Sequence, residues 1–172
     1  VHCSKYPRLL AHAFGVAAKP KDLLFHGIEA VSSFDAEVAA ANRSQIKLVA
    51  RAVKLDDGSV AAFVLPQFVK SDHLLFQVKN EFNGLALTGA LADTQFFYGK
   101  GAGGYPTASA ILSDLSALRY NYKYEHKKLL EQSPSCLAGD VLLNAYVSFD
   151  DWEKVPVDDF EAVHEYYSGR QL

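Results

Sequence analysis

Apolar residues recur along this chain with two different periods, and the changes of period mark out its elements. Leu9, Leu10, Ala13 and Phe14 fall on one helical face and stop at Gly15, so a short helix is expected there, with Pro7 tolerated only in its first turn. Residues 24–31 read as a strand. Ser32 or Ser33 then caps a second, alanine-rich helix that runs to Ala41 with Glu37 facing outward. Branched residues alternate over Ile46–Val53 and Val60–Leu65, which predicts two strands; the Asp57-Gly58 pair in the connection between them is a hairpin signal. Gly84–Thr88 and Gln95–Tyr98 supply two further strands, and Thr107–Lys123 makes the longest helix.

These elements imply an α+β fold, a mixed, largely antiparallel sheet with helices on one face. The composition shifts at Glu131-Gln132-Ser133-Pro134-Ser135, so residues 1–128 are expected to form the main domain, 129–139 a linker and 140–172 a C-terminal β-α segment. In that segment Val141–Phe149 reads as a strand and Asp158–Tyr167 as an amphipathic helix begun after Pro156. One strand and one helix cannot bury an independent core, so this tail either packs against the main domain or opens a further one.

Composition narrows the class. The chain has 172 residues, 49% of them apolar, and a net charge of −3, which suits one compact domain and argues against a nucleic-acid surface, where Lys and Arg must replace condensed counterions. No apolar run approaches membrane-spanning length and no secretory signal opens the chain, so a soluble, cytoplasmic protein without a membrane partner is expected. Cys3 and Cys136 lie far apart, outside any Cys-x-x-Cys pair, and read as reduced thiols. His12, His26, His73, His126 and His164 are scattered without ligand spacing, so no metal is expected. Bases and aromatics interleave over Arg119–Lys128, which reads as a helix end whose cations complement its dipole and whose tyrosines pack on a neighbour. The chain contains no methionine, whereas a complete gene product begins with one, so it is expected to be a piece of a longer polypeptide.

The densest chemical signal is Gly99-Lys100-Gly101-Ala102-Gly103-Gly104-Tyr105-Pro106-Thr107-Ala108-Ser109, a glycine loop that opens the longest helix. Four glycines within 99–104 uncover backbone N–H groups and permit positive φ, while Pro106 and Thr107 are residue types favoured in a first turn and at an N-cap. Such a terminus can face an anion or a flat cofactor ring, although the Lys-Ser/Thr of a P-loop is absent and a tight connection would look similar.

The wording of this block, read with Asn83–Leu87, Thr94–Tyr98 and Ala110–Leu115, closely resembles the end of the homoserine dehydrogenase catalytic domain. The resemblance extends upstream through Gly27–Val31, the helix near Asp35, the strand Ile46–Ala50 and Asp72–Lys79, and it covers residues 1–120 without gaps between the blocks. It implies an NAD- or NADP-dependent oxidoreductase that interconverts L-homoserine and L-aspartate 4-semialdehyde in threonine and methionine biosynthesis, working as a homodimer joined through the catalytic-domain sheets. In the family a lysine near a helix start, four residues after an aspartate, binds the substrate and assists proton transfer. One form of that pattern places the lysine at Lys5 and the aspartate at Val1; members with one residue fewer place them at Tyr6 and His2. Lys5 matches the residue type, and the aspartate is missing in either register. The glycine loop approaches the nicotinamide in the family, which implies Gly101, Ala102, Gly103 and Thr107 as cofactor neighbours. The Rossmann fingerprint, Gly-x-Gly-x-x-Gly after a first strand, is absent, and so is the family's Asn-Gly-Thr segment, so the piece alone is expected to be inactive. Many members carry an ACT regulatory domain after this point, and its first β-α pair would look like residues 140–172. The competing reading is a non-catalytic assembly or regulatory module of the same ancestry.

Overall fold

The computed structural model describes residues 5–123, 127–130 and 135–163. Two compact units divide the chain, Val1–Val141 and Leu142–Leu172.

The first unit is organised around one helix and one long hairpin. Helix α1 (Tyr6–Phe14) holds Pro7 in its first turn, where the missing N–H costs no intrahelical bond, and ends where expected. Gly15 turns left-handed at φ 71°; its N–H reaches the Ala11 carbonyl, the 5→1 bond of an αL cap, while the Val16 N–H reaches the Leu10 carbonyl. Strands β2 (Ser44–Lys54) and β3 (Val60–Lys70) pair antiparallel from Ser44↔Lys70 to Lys54↔Val60. Their turn uses the Asp-Gly pair as its chemistry demands. Gly58 takes φ 84°, and the Asp57 carboxylate accepts from the Ser59 hydroxyl at 2.6 Å and the Ser59 N–H at 2.8 Å. Those two bonds hold the Asp57 carboxyl below the usual carboxylate range, the hydroxyl contributing most. Tyr6 and Leu10 of α1 lie against Val60 and Val64 of β3, with Val16 and Leu23, and these six residues form the buried core, flanked by Leu48, Ala50, Ala52 and Leu137.

Both strands run further than the alternation predicts, and β3 does so across Pro66. The geometry explains the tolerance. Val64 accepts from the His26 N–H on the edge away from β2, and backbone groups two residues apart point to the same edge. Pro66 therefore lacks an N–H only where β3 has no ladder to lose.

The expected strand over 24–31 is cut to β1 (Leu24–Phe25), which pairs parallel with Phe63 and Val64 of β3. After His26 the chain turns at Gly27 and closes a Val31-to-Ile28 hydrogen bond, so the ladder cannot continue. Ser32, the first of the two expected caps, caps helix α2 (Ser33–Ala41): Asp35 N–H donates to its hydroxyl at 3.2 Å and the Asp35 carboxylate accepts from the Ser32 N–H at 2.8 Å. The strand order is β1-β3-β2, and β4 (Phe82–Gly89) with β5 (Asp93–Lys100) forms a separate two-stranded antiparallel sheet. The architecture is thus the expected mixed, largely antiparallel α+β type, with its strands divided between two sheets.

Toward the C-terminus the expectations fail in part. Within 129–139, read as a linker, Cys136 offers its carbonyl to Val60 N–H and Ala138 donates to the Val60 carbonyl, so that Leu137 bridges the free edge of β3 in parallel. Cys136 is a free, exposed thiol, and Cys3 lies outside the described residues. No strand forms over Val141–Phe149: alternation cannot hold an extended chain without a partner ladder, and the unit Leu142–Leu172 contains no other strand among its described residues. In place of the expected helix at Asp158 there is a single 3₁₀ turn, Val157–Asp159, and no helix follows through Val163; the rest of that prediction lies outside the described residues.

Candidate functional site at the glycine loop

The glycine loop leaves the end of β5, and each of its glycines meets a different demand. At its base, Gly101 N–H donates to the Glu81 carbonyl at 3.1 Å, and Lys100 pairs with the Glu81 carboxylate at 3.1 Å. The same ammonium lies 5.5 Å from the centroid of the Phe82 ring, which stacks on Tyr98 at 4.8 Å. Backbone and ion pair hold the Glu81 carboxyl below its ordinary value, but the group is exposed and the pair is worth little to stability. A β-carbon on Gly101 would overlap the amide end of the exposed Asn83 side chain, which would have to swing aside.

Gly103 answers to backbone conformation instead. Its φ of 119° and ψ of 159° are open to glycine and strained for other residues, and it is the N-cap of helix α3 (Gly104–Arg119). The helix therefore begins three residues earlier than Thr107. Pro106 sits in the first turn, as expected, but Thr107 is no N-cap: its N–H and its hydroxyl both donate to the Gly103 carbonyl, at 3.2 and 2.8 Å. A glycine cap without a side-chain acceptor leaves the first N–H groups of α3 unbonded to any cap side chain. At Gly99 and Gly104 an added β-carbon would meet nothing within 4 Å. With Ala102 exposed as well, the outer surface of the loop is bare backbone.

Helix α3 stops at Arg119, short of Lys123, because Asn121 turns left-handed at φ 57° and Tyr122 N–H folds back to the Ala117 carbonyl. No residue of α3 is buried, and Ile111, Leu112, Leu115 and Leu118 are each more than half exposed. On the ribbon β4–β5, Leu85, Leu87 and Phe97 share one exposed face.

Of the residues singled out from the sequence, Gly101, Ala102, Gly103 and Thr107 form one continuous loop and first turn. Lys5 stands elsewhere, at the N-cap of α1, exposed and without a capping hydrogen bond. Tyr6, the alternative register for the family lysine, points into the core and is 5% exposed. The positions where the family aspartate would fall, Val1 and His2, lie outside the described residues. Sequence reasoning read Asn83 only within the resemblance block and missed Glu81, whose carbonyl and carboxylate hold the base of the loop. Among the described residues no group of three or more His, Cys, Asp or Glu could hold a metal ion, and no helix is long and apolar enough to cross a membrane.

Comparison with known proteins places the site in context. A family model described as homoserine dehydrogenase matches residues 3–116. The homoserine dehydrogenase of Helicobacter pylori is 36% identical over 107 residues, covering 62% of this chain and 25% of that protein. The NAD(+)-dependent homoserine dehydrogenase of Pseudomonas canavaninivorans is 35% identical over 94 residues, 55% of this chain and 27% of its own length. The crystal structure of S. aureus homoserine dehydrogenase superposes with a TM-score of 0.63 at 30% identity, covering 72% of this chain and 31% of that one. The chain spans about a quarter of the length of the curated relatives it matches. It belongs to the homoserine dehydrogenase family.

Proposed function

We propose that this chain is the catalytic portion of an NAD- or NADP-dependent enzyme that interconverts L-homoserine and L-aspartate 4-semialdehyde, in threonine and methionine biosynthesis in the cytoplasm. The observation that carries the reading is the bare glycine loop at the start of α3, inside the segment matched by the family model. The nicotinamide supplies hydride chemistry; the protein's part is to align the substrate and manage one proton. A flat ring fits the open backbone over Gly99, Ala102, Gly103 and Gly104 without displacing a side chain, and Thr107 stands one turn behind. The exposed ammonium of Lys5 is free to bind the substrate oxygen and to relay the proton that leaves it. The bare apolar face of α3 packs on the nucleotide-binding part of the full-length protein, and two copies join through the sheets as a homodimer. NAD is the first cofactor to test, because the Pseudomonas canavaninivorans relative is named NAD(+)-dependent.

The test is reduction of NAD+ or NADP+ by the full-length protein with homoserine as sole reductant, followed by absorbance. Dehydrogenation of homoserine supports the reading; a well-folded full-length protein inert with both dinucleotides favours the assembly-module alternative, whose support is the missing aspartate at both Val1 and His2. Residues 1–172 alone should neither bind NADP nor oxidise homoserine, because pyrophosphate contacts are made at the first turn of a nucleotide-binding βαβ unit, whereas Gly99–Gly104 follows a strand of an antiparallel ribbon. Calorimetry on that piece checks it.

A further inference from the structure

Strand β2 contains a lysine that does not behave as an ordinary surface cation. Lys47 is half-buried, and its ammonium donates at 2.5 Å to the carbonyl of Val78, 31 residues further on. Val78 closes the 3₁₀ turn Leu74–Gln77, where its carbonyl has no ladder to join and needs a donor from elsewhere. A lysine placed to protect an exposed sheet edge would hold its charge in water. This one is turned inward, and no ion pair joins it to a carboxylate among the described residues. Burial, and then the neighbouring Lys79 ammonium, push its pKa below the usual lysine value.

From Val78 the contacts lead to the loop. Val78 Cγ2 fills the space beside Gly84 of β4, where an added β-carbon would sit 2.6 Å from it and 3.0 Å from the Phe96 ring, so Gly84 is glycine to let this turn seat on the ribbon. Adjacent to Gly84 are Asn83, whose amide lies beneath Gly101, and then Glu81, whose carbonyl accepts the Gly101 N–H. A series of contacts therefore runs from the three-stranded sheet, through Lys47, Val78 and Gly84, to the base of the glycine loop.

We propose that Lys47 is a positioning residue: by holding the Val78 carbonyl it seats the β4–β5 ribbon, and with it the Gly101–Gly104 loop, against the sheet on which the Lys5 helix packs. The proposal rests on the reaction proposed above and extends it, since it names what fixes the cofactor-facing loop relative to the catalytic lysine. Hydride transfer is sensitive to that spacing, whereas dinucleotide affinity comes mainly from pyrophosphate contacts at the first turn of a βαβ unit.

The experiment compares Lys47→Met and Lys47→Arg in the full-length protein. Lys47→Met keeps the apolar stem and removes the donor; kcat should fall by about 10²-fold, the cost typical of a misplaced reacting group, with both KM values nearly unchanged. Hydrogen exchange should quicken in residues 78–84 and 99–104 while α1 and the β2–β3 hairpin stay protected. Lys47→Arg, which retains a donor, should recover most of the turnover. Wild-type turnover in Lys47→Met, a uniform rise in exchange along the whole chain, or no recovery in Lys47→Arg would each overturn the proposal. Should Lys47→Met fail to fold, Gly84→Ala probes the same contacts with the Lys47 bond intact: a methyl group there displaces Val78 and should lower kcat in the same way, and unaffected turnover would sink the idea. If the wild-type protein does not oxidise homoserine, the reaction reading fails, and the local or uniform pattern of exchange still decides whether Lys47 seats the ribbon.

Discussion

The α1–hairpin region and the α3–ribbon region both carry apolar residues at regular spacing but use them in opposite ways. Leu10 of α1 is 1% exposed and Val60 and Val64 of β3 are fully covered, whereas Leu112 and Leu118 of α3 are both 65% exposed. Helical periodicity alone cannot separate the two cases, because it reports that a face is apolar and not what covers it. The first region is explained by its own contacts. The second leaves its apolar side chains exposed, which is the pattern of an interaction surface.

The strongest way to break this comparison is to truncate one leucine in each region. Leu10→Ala removes a fully packed side chain and should destabilise the chain by about 2–5 kcal/mol, read from urea unfolding. Leu115→Ala, more than half exposed, should shift stability by less than about 0.5 kcal/mol in residues 1–172 and by distinctly more in the full-length protein. Equal costs in the short chain would show that α3 is covered from within.

Next in size is the loop itself. Gly103→Val forces a branched residue into φ 119° and places its side chain where the cofactor is proposed to approach, so kcat and dinucleotide affinity in the full-length protein should each fall by about 10²-fold or more. Lys5→Ala should lower kcat and spare dinucleotide binding. Turnover and melting temperature measured on the same variants separate the roles: a folded Gly103→Val enzyme with ordinary turnover removes the cofactor contact, and an active Lys5→Ala moves the catalytic lysine elsewhere.

The same contrast explains what was legible in the sequence. The end of α1 at Gly15, the Ser32 cap and the Asp57-Gly58 turn are fixed by bonds within a few residues, and each formed where its local chemistry places it. What the sequence did not reveal depends on distant partners. The strand at 24–31 stops where the chain turns away from β3, and Val141–Phe149 has no ladder despite its alternation. The start of α3 was misplaced because Thr107 is a favoured N-cap by type, while glycine at position 103 already supplied the required backbone turn. The glycine loop was legible as a loop; that Gly101 lies over the Asn83 amide, and that Gly103 is held as glycine by its φ, was not. Lys47 gave no signal at all, since its partner is a backbone carbonyl far along the chain.

A smaller effect tests the locally determined side of the comparison. Ser32→Ala removes the hydroxyl that accepts from Asp35 N–H and should cost about 1 kcal/mol, measurable by urea unfolding, while Ser33→Ala, one residue inside the helix, should be close to neutral. A larger loss at Ser33 would move the cap.

The smallest effect lies in the core, at Tyr6, and it is clearest at alkaline pH. The Tyr6 hydroxyl is buried with no hydrogen-bond partner among the described residues, and burial pushes its pKa well above the ordinary tyrosine value. The folded chain therefore keeps the phenol proton at a pH where the unfolded chain releases it. Tyr6 contributes its full stability below the unfolded pKa of about 10 and loses it as pH rises above that value, by about 1.4 kcal/mol per pH unit. Lys47 works in the opposite sense: its lowered pKa lets the unfolded chain hold the extra proton, so stability rises with pH up to the ordinary lysine value. Comparing wild type with Tyr6→Phe cancels the lysine, which both share. At neutral pH, Tyr6→Phe should change stability by no more than about 1 kcal/mol, because an unpaired hydroxyl is lost without stranding a partner. Above about pH 10 the wild type should weaken relative to Tyr6→Phe. Parallel curves across that range would show that the Tyr6 phenol ionises as freely in the folded chain as in the unfolded one, and a neutral-pH cost above about 2 kcal/mol would reveal a partner for its hydroxyl.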